Sequence, residues 1–384
     1  MPIDWKPKLK MGISAASLLL ALVVGSLVYC VLVVVAAQRY LAARHSILKR
    51  VIPISILKPL SGTDEGLEEN LRSFFTLDYP DYEILMAVQR RDDPAVTIVE
   101  SLRREYPFVP SRLLIVGEPP YANAKVFSLD RMMAAARHDV LVMSDSDIRV
   151  SPDMLRVVAA EFQDPELGVA TCPYRAVAGR SFWSQLEAVG MNTEFLGGVL
   201  VARMLEGMKF AVGPTIVARK QALHEVGGFD RLKDYLAEDF VMGKFAVEAG
   251  WKVSLSSYVV EHRIGSETLA ANAAHRLRWA RSTRRSRPAG YLGQLFTNPL
   301  PLALLLVLVR PEWWPVLAGT VVIRGLAAYA TSGSILNCTR YWWLVPVQDL
   351  LSFVFWFAGF FGNTIIWRGK MYYLQADGTF VLVG

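Results

Sequence analysis

One stretch decides the fold class of this chain, and it reads Val140-Leu141-Val142-Met143-Ser144-Asp145-Ser146-Asp147. Four apolar residues run directly into two carboxylates that stand two positions apart. A short apolar run that ends at a polar turn is typical of a strand buried on both faces, as in the parallel sheet of an α/β protein. Open sheets of this kind bind ligands at the carboxyl ends of their strands. The stretch therefore predicts a buried strand that carries Asp145 and Asp147 into a binding cleft.

Asp145 and Asp147 offer the oxygen ligands that hard divalent cations such as Mg²⁺ or Mn²⁺ prefer. A cation held there would also contact the phosphate oxygens of a bound diphosphate. However, the chain has 17 aspartates among 384 residues, so about one Asp-x-Asp is expected by chance. The pair alone is weak evidence for a metal site, and the surrounding sequence decides its meaning.

The composition indicates a protein with both a globular part and membrane helices. It is 53% hydrophobic and 20% charged, with a formal net charge of +6, which is too apolar for an ordinary soluble protein and too charged for a pure membrane bundle. Cys30, Cys172 and Cys338 are far apart in the chain. They indicate neither a disulfide framework nor a set of metal ligands.

An alternation of strand and helix patterns surrounds the opening stretch from residue 51 to about residue 257. The pattern predicts strands at 54–57, 82–88, 112–116, 167–171, 210–218 and 251–260, and helices at 66–75, 96–106, 125–136, 184–203 and 235–248. Such alternation is typical of a parallel sheet with right-handed crossovers. Asp92 and Asp93 follow one of these strands as Asp145 and Asp147 follow another, so we expect all four in one cleft.

The N-terminal region contains a candidate membrane anchor at residues 11–37, which carry no charge. A run of this length spans a bilayer. A cleaved signal peptide is the alternative, but the apolar run is long for one and lacks an obvious cleavage site. Arg39, Arg44, Lys49 and Arg50 follow the run. This basic flank favours a cytoplasmic location for the segment that comes next.

Three further apolar segments follow at 292–309, 313–330 and 343–367. The first is interrupted by polar residues and prolines, so it spans the bilayer, lies at its interface or re-enters it. Arg324 lies inside the second. Arg368 and Lys370 place the C-terminus on the cytoplasmic side if the first segment does not cross. The sequence thus predicts an integral, multi-pass membrane protein with a cytoplasmic catalytic domain.

Residues 275–287 carry seven basic side chains around Trp279. A nucleic-acid patch is one interpretation of such a run. The segment lies directly before the membrane, however, where basic residues usually meet anionic headgroups or determine topology. We therefore expect no nucleic-acid partner.

The candidate site residues each have a chemical role and a structural alternative. Asp145 and Asp147 would hold a divalent cation that neutralises a sugar-nucleotide diphosphate, and Asp92 or Asp93 would contact its base or ribose. Asp239 would act as the general base toward an acceptor hydroxyl. As acidic residues at a helix start, Glu238 and Asp239 also have a purely structural explanation. Taken singly, each residue is more often structural than catalytic.

Two residues of the basic segment have candidate roles at the same site. Arg278 has the planar donor fork that binds a leaving diphosphate, and Trp279 would stack on the acceptor or close the cleft.

Taken together, the motifs resemble those of the ceramide glucosyltransferase family. The resemblance rests on Leu57-Lys58-Pro59-Leu60, Gln89…Asp92-Asp93-Pro94, Asp145-Ser146-Asp147-Ile148-Arg149-Val150, Ala237-Glu238-Asp239 and Arg278-Trp279. It implies an inverting, processive-type glycosyltransferase with the GT-A fold, an α/β fold with a Rossmann-like mixed sheet, accompanied by transmembrane helices. It also implies a UDP-sugar donor, a membrane-lipid acceptor and Mg²⁺ or Mn²⁺ as cofactor.

The resemblance also assigns site residues. Asp93, Asp145 and Asp239 take the family's three aspartate positions, and residues 275–279 take its Gln/Arg-x-x-Arg-Trp motif. Lys125 joins Asp92, Asp93 and Asp145 as a predicted donor-binding residue. His275 departs from the family's Gln or Arg, and Arg90 stands where the ceramide enzymes often have an acidic residue. Asp147 stands where glycine also occurs, which favours metal binding.

The acceptor and the division into domains complete the predictions. Arg278-Trp279-Ala280-Arg281 and Gly362-Asn363-Thr364 also resemble the bacterial hopanoid-biosynthesis glycosyltransferases, so the acceptor is of a ceramide or a hopanoid type, and the second resemblance indicates a bacterial inner membrane. The predicted regions are an anchor and linker (1–50), the GT-A domain (51–290) and a C-terminal membrane region (291–384). A polysaccharide synthase or a non-catalytic lipid-binding membrane protein remains the alternative.

Overall fold

The computed structural model describes residues 6–43, 46–367 and 370–383, with side chains from residue 15 onward. The described residues form two compact units. The helical unit comprises residues 6–43, 185–204 and 269–362, and the α/β unit comprises residues 46–184, 205–268 and 363–383. The side chains of Lys6, Lys8 and Lys10, together with Arg44 and Arg368, lie outside the described residues.

The chain alternates between the two units, which differs from the predicted division at residues 50 and 290. Residues 185–204 belong with the apolar helices although α/β sequence surrounds them, and residues 363–383 return to the α/β unit. The reason is composition, because residues 196–202 are almost wholly apolar, while residues 363–383 form short strands.

Thirteen strands are found in the described part of the chain. They are β1 (Ile54–Pro59), β2 (Tyr82–Val88), β3 (Ser111–Ile115), β4 (Val140–Ser144), β5 (Ile148–Arg149), β6 (Leu167–Thr171), β7 (Tyr174–Val177), β8 (Thr215–Arg219), β9 (Lys252–Leu255), β10 (Val260–Arg263), β11 (Thr364–Trp367), β12 (Lys370–Leu374) and β13 (Phe380–Leu382).

Fourteen α-helices are found in the same residues. They are α1 (Lys6–Leu41), α2 (Leu67–Phe75), α3 (Ala95–Glu105), α4 (Ala124–Ala135), α5 (Met154–Glu161), α6 (Phe182–Gly190), α7 (Leu196–Glu206), α8 (Lys220–Glu225), α9 (Glu238–Glu248), α10 (Leu269–Ser286), α11 (Pro288–Gly293), α12 (Pro299–Val309), α13 (Trp314–Ala328) and α14 (Val345–Ala358). A π-helical turn, Met191–Phe195, joins α6 to α7.

The main sheet has seven strands in the order β3-β2-β1-β4-β8-β6-β9. The pairs β1–β2, β1–β4 and β2–β3 are parallel, as the alternating pattern predicts. Strand β8 is antiparallel to both β4 and β6, which makes the sheet mixed. Every residue of β1 except Pro59, and every residue of β2 and β4, is buried. These buried parallel strands place the carboxyl ends of β1, β2 and β4 along one edge.

Three predicted elements differ from the structure for local reasons. The strand predicted at 210–218 is paired only over Thr215–Arg219, because Pro214 has no N–H to donate to a ladder. The strand predicted at 251–260 is two strands in different sheets. The helix predicted from residue 235 begins at Glu238, because Tyr235 forms an isolated bridge with Thr379 instead.

Two helices among the described residues are long and apolar enough to cross a membrane, namely Ala15–Leu41 and Pro311–Gly333. A third candidate consists of Pro288–Phe296 and Pro299–Val309, which meet at a bend of 53°. This is the segment predicted to span the bilayer, to lie at its interface or to re-enter it, and these predictions stay open. The apolar segment predicted over 343–367 is shorter in the structure, because an apolar helix covers Trp342–Ala358 and residues 364–367 form a strand.

A buried ion pair joins two apolar helices of the helical unit. The Arg324 guanidinium on α13 donates hydrogen bonds of 2.9 to 3.1 Å to the Asp349 carboxylate on α14. It also donates to the Thr193 hydroxyl at 3.2 Å. Both charged side chains are buried. Each charge in such a pair depends on the other, because an unpaired buried charge is strongly destabilising.

We expect Asp349→Ala to lower the free energy of unfolding by about 3–5 kcal/mol, because it leaves the Arg324 charge buried and uncompensated. The double variant Arg324→Met/Asp349→Leu removes both charges at similar volume and should recover most of that loss. Unfolding in detergent, followed by circular dichroism, measures both. A double variant as unstable as the single one would contradict this account.

Candidate active site

The loop after β4 is held by its own backbone. The Asp145 N–H donates to the Pro214 carbonyl at 3.0 Å, and the Ile148 N–H donates back to the Asp145 carbonyl at 3.3 Å. The Asp145 carbonyl also accepts a hydrogen bond from the Lys58 ammonium group. This turn leaves the carboxylates of Asp145 and Asp147 about one-third exposed.

Lys58 lies fully buried under that loop, at the end of β1. Its ammonium group is 3.4 Å from the Ser144 hydroxyl and 4.1 Å from the centre of the Phe74 ring. Burial lowers the pKa of Lys58 to about 7, against the opposing charges of Asp145 and Asp147. The sequence motif that contains Lys58 thus supports the acidic loop from below.

Lys125 joins two of the acidic groups. Its ammonium group lies 2.8 Å from Asp145 Oδ1 and 3.3 Å from Glu238 Oε1. Burial alone would lower the pKa of Lys125, but the charges of Asp145 and Glu238 raise it above its ordinary range. Lys125 lies in the first turn of α4, where the Asn123 side chain accepts from the Val126 N–H at 3.2 Å as an N-cap. The capped helix end therefore determines where the Lys125 cation lies.

Asp239 lies in the first turn of α9, next to Glu238. Burial, followed by the charge of Glu238, raises the pKa of Asp239 to about 7. Gly213 packs so closely against Asp239 that a Cβ added there would be 2.8 Å from Asp239 Oδ2. A carboxyl group with a pKa near neutrality is suited to general base catalysis. The absence of a side chain at residue 213 gives Asp239 its space.

Asp147 pairs with a histidine that the sequence did not single out. Its Oδ2 lies 3.0 Å from His262 Nε2. Burial acts to raise the pKa of Asp147, but His262 and nearby cations lower it overall. The buried Oδ1 of Asp147 has no hydrogen-bond partner among the described residues. An unsatisfied carboxylate oxygen beside an imidazole fits a divalent cation such as Mn²⁺. Asp147 and His262 thus offer oxygen and nitrogen donors that suit the predicted cofactor, while Asp145 Oδ1 is engaged by the Lys125 ammonium group.

The two earlier carboxylates have structural partners in the described chain. Asp93 accepts hydrogen bonds from the Gly62 N–H at 3.1 Å and from the Ala95 N–H at 2.9 Å. It thereby ties the loop after β1 to the start of α3. Asp92 forms an exposed ion pair with Arg90 at 2.6 Å, of a kind that contributes little to stability. The roles predicted for them toward the nucleotide stay predictions.

Arg278 and Trp279 lie on α10 in the helical unit, where the surroundings of Trp279 are aromatic. The His275 and Phe195 rings lie 4.7 Å and 6.1 Å from the Trp279 ring. His275 Nδ1 is 2.7 Å from the buried Glu187 carboxylate, which also accepts from the Asn272 amide. His275 thus has an acidic partner on α6 at the position where the family has Gln or Arg. The roles predicted for Arg278 and Trp279 likewise stay predictions.

One cleft of the α/β unit brings together several predicted residues. Its lining is Pro59, Lys125, Leu129, Met143, Ser144, Gly213, Ile216, Glu238, Asp239 and Met242. Lys125 links this cleft to Asp145. The arrangement offers the Lys125 ammonium group and the Asp145 carboxylate to a diphosphate. Asp239, whose pKa is raised to about 7, lies in the same cleft as Lys125.

Sequence reasoning missed the roles of His262 and Gly213. A single histidine in a short strand carries no motif, and only the pairing of β10 with β5, which sets His262 opposite Ile148, brings it to Asp147. Gly213 stands in the sequence as a Gly-Pro pair and is equally typical of a turn. Its close approach to Asp239 depends on two segments that are 26 positions apart.

Comparison with known proteins identifies a family model that matches nearly the whole chain. The model describes glycosyl transferase family 21 and matches residues 18–380. Ceramide glucosyltransferase 1 of Caenorhabditis elegans is 31% identical over 218 residues, which are 56% of this chain and 46% of that protein. Ceramide glucosyltransferase 3 of the same organism is 26% identical over 342 residues, or 85% of this chain and 73% of that protein. The match thus spans about half of the first relative's length.

A solved structure has a similar fold. It is a mannosyltransferase from Pyrobaculum calidifontis in complex with GDP-Man and Mn²⁺, with a TM-score of 0.54 and 17% identity. The alignment covers 90% of this chain and 97% of that one. At this identity the similarity concerns the fold alone, and it confirms the predicted GT-A fold with its mixed α/β sheet.

We expect Gly213→Ala to lower kcat about 10- to 100-fold, because the added Cβ must displace the Asp239 carboxylate and small misplacements are costly in catalysis. The KM for the donor should change little. Gly293→Ala is the control, since its added Cβ meets no described atom within 4 Å. Steady-state kinetics of both variants measure the effect. A Gly213→Ala enzyme with the wild-type kcat would contradict the close packing.

Proposed function

Because the chain belongs to glycosyl transferase family 21, we propose that it is a membrane-bound, inverting enzyme that transfers a hexose from a UDP-sugar to a lipid hydroxyl. The observation that carries the proposal is Asp239, a carboxyl group with a pKa raised to about 7. It lines the same cleft as Lys125, whose ammonium group contacts Asp145. A base and a diphosphate-binding edge are the two requirements of this reaction.

In the proposed reaction, Asp239 accepts the proton of the acceptor hydroxyl. The oxygen then forms a bond to the anomeric carbon while the bond from that carbon to the diphosphate breaks. The bonding electrons leave with UDP, and the attack from the opposite face inverts the anomeric configuration. A single base therefore serves the whole transfer, and no covalent sugar–enzyme intermediate is needed.

The leaving diphosphate would be stabilised by positive charge at the edge formed by β4 and α4. Lys125 provides a permanent cation there, and the family motif assigns Arg278 to the same group. Asp145, Asp147 and His262 would hold Mg²⁺ or Mn²⁺. When bound, the cation neutralises phosphate charge as a Lewis acid. Asp93 would contact the nucleotide from the loop it stabilises, and Asp92, in its exposed pair with Arg90, would lie at the rim.

The acceptor is proposed to be a membrane lipid. Two helices among the described residues are long enough to cross a bilayer, and the similar C. elegans proteins are named ceramide glucosyltransferases. A ceramide-type or a hopanoid acceptor fits this layout, with glucose or N-acetylglucosamine as the sugar. Trp279 would stack on the acceptor. The catalytic unit would face the cytoplasm, in a bacterial inner membrane.

Incubation of purified protein in lipid vesicles with labelled UDP-sugars and extracted lipids tests the proposal, with the product identified by mass spectrometry. A single sugar on a lipid hydroxyl, with inverted configuration, is the expected product. A sugar polymer would identify a polysaccharide synthase instead. No transfer to any lipid fraction would favour a non-catalytic lipid-binding protein.

We expect Asp239→Asn to lower kcat by about 10²- to 10⁴-fold, the range of a general base, while UDP-sugar binding stays intact. In the wild-type enzyme, Asp239 must be deprotonated to act. Since burial raises its pKa to about 7, kcat/KM should rise about tenfold per pH unit below that value and level off above it. A flat profile between pH 5 and 8 would remove Asp239 from this role.

If Asp145 and Asp147 hold the cation, UDP binding should depend on a divalent metal. The double variant Asp145→Ala/Asp147→Ala should bind UDP no more tightly with Mn²⁺ than without it, as measured by calorimetry. His262→Gln should weaken Mn²⁺ binding about 10- to 100-fold, measured by electron paramagnetic resonance. Asp78→Ala serves as the control for the loss of an exposed carboxylate. Unchanged Mn²⁺ binding in the double variant would exclude these ligands.

A further inference from the structure

The three-stranded sheet of β11, β12 and β13 is apolar on both faces. In ordinary antiparallel sheets one face packs on the core and the other is polar. Here the inner face carries Ile365, Tyr372, Leu374 and Phe380, all buried. The outer face carries Ile366, Met371, Tyr373, Val381 and Val383, which are between 41% and 61% exposed. An apolar face of this kind marks an interaction surface.

Strand register makes the outer face continuous. Ile366 stands opposite Met371 across β11 and β12, and Tyr373 stands opposite Val381 across β12 and β13. The Val383 N–H donates to the Met371 carbonyl at 2.9 Å, which extends the pairing by one residue. Among the described residues of this face, Thr364 adds one polar side chain and no charge. Water is a poor partner for such a surface.

The inner face holds the loop that leads to the proposed base. It packs against Leu236 and Ala122. The Phe380 N–H donates to the Asp234 carbonyl at 3.0 Å, and Tyr235 bridges Thr379. The same loop continues directly into Glu238 and Asp239. Any surface that binds the outer face therefore acts on the segment that positions the base.

Covalent connection identifies the occupant of the outer face. Strand β11 begins six positions after α14 ends at Ala358. Six residues reach at most about 20 Å, so the chain itself keeps the start of β11 within that distance of the end of an apolar helix. Tyrosine is enriched where a membrane meets water, and Tyr373 stands on the outer face.

We propose that the outer face of β11–β13 lies in the headgroup region of the bilayer and anchors the loop of Asp239 at the membrane surface. The inference rests on the proposed membrane location and lipid acceptor. It assigns a binding function to a surface outside the reaction cleft. Its consequence is that a lipid acceptor meets the base at the depth at which this sheet is held.

Fluorescence quenching tests the location of the sheet without any turnover. Tyr373→Cys and Val381→Cys are labelled with an environment-sensitive fluorophore, in a full-length Cys338→Ser background, and reconstituted in vesicles with anionic lipid. Spin-labelled lipid should quench both labels at least threefold more strongly than aqueous iodide does. A label at Phe108→Cys, where the native side chain is 97% exposed on the same unit, should show the opposite preference.

Two results would overturn the proposal. Iodide could quench the sheet labels as strongly as the Phe108→Cys label, which would place the face in water. Alternatively, in detergent, the labels could become more protected from iodide as the protein concentration rises. That result would mean that a second copy of the chain covers the face.

A kinetic arm tests the consequence for the acceptor. The double variant Ile366→Asp/Val381→Asp should raise the KM for a vesicle-embedded lipid acceptor about tenfold. The kcat for a short-chain, water-soluble acceptor should stay within twofold of wild type. Phe108→Asp should change neither value. An unchanged KM in the double variant would contradict the anchoring role.

The two arms separate this inference from the proposed function. If wild-type protein transfers no sugar but the sheet labels contact lipid, the proposed function fails and the anchor stands. If transfer to lipid occurs while the labels stay in water, the anchor fails alone.

Discussion

The contact of Lys125 with Asp145 and Glu238 is the interaction on which the candidate active site depends. Its ammonium group joins the start of α4, the loop after β4 and the start of α9. Without a cation among them, Asp145, Glu238 and Asp239 would repel one another, and their charged forms would be disfavoured. With it, Asp145 and Glu238 both have a partner, while burial and the Glu238 charge still raise the pKa of Asp239. The charges of Lys125, Asp145 and Glu238 thus affect both the proposed base, Asp239, and the edge proposed to bind the diphosphate.

Lys58 and His262 extend that arrangement to the metal-compatible pair. Lys58 places a buried amino group, whose pKa burial lowers to about 7, below the loop and in contact with the Asp145 carbonyl. His262 pairs with Asp147 at 3.0 Å and leaves its second oxygen without a described partner. Each acidic group of the loop therefore has a cationic or imidazole neighbour on a separate element. These neighbours explain how two carboxylates that stand two positions apart are accommodated at the end of a buried strand.

The helical unit follows a different principle, in which polar groups are paired inside apolar surroundings. The bond between Arg324 and Asp349 joins α13 to α14. Glu194, on the π-helical turn, accepts from the Thr297 hydroxyl and the Asn298 amide at 3.0 Å each. Paired polar groups give apolar helices a defined register, since unpaired ones are costly in such surroundings. The α/β unit instead holds the carboxylates of the proposed site, which are only partly neutralised by their neighbours.

Local composition was sufficient to predict much of this protein. Continuous apolar strands such as Val140–Ser144, each followed by acidic residues, predicted an α/β sheet with carboxylates along one edge, because strand burial and strand ends are local properties. The motif order from Lys58 to Trp279 predicted the family, and long apolar runs predicted the helices Ala15–Leu41 and Pro311–Gly333. The polar residues and prolines near Pro299 also indicated that this apolar segment is interrupted, and the structure has a bend of 53° there.

Only the tertiary structure decided which groups meet. His262 reaches Asp147, Gly213 makes room for Asp239, and Lys125 reaches both Asp145 and Glu238, each across more than 19 positions of chain. The end of α14 at Ala358 and the sheet that follows also depended on long-range packing, because β11–β13 are stabilised by Leu236 and Ala122. Such contacts depend on strand register and loop geometry, which act over distance and leave no periodic trace in the sequence.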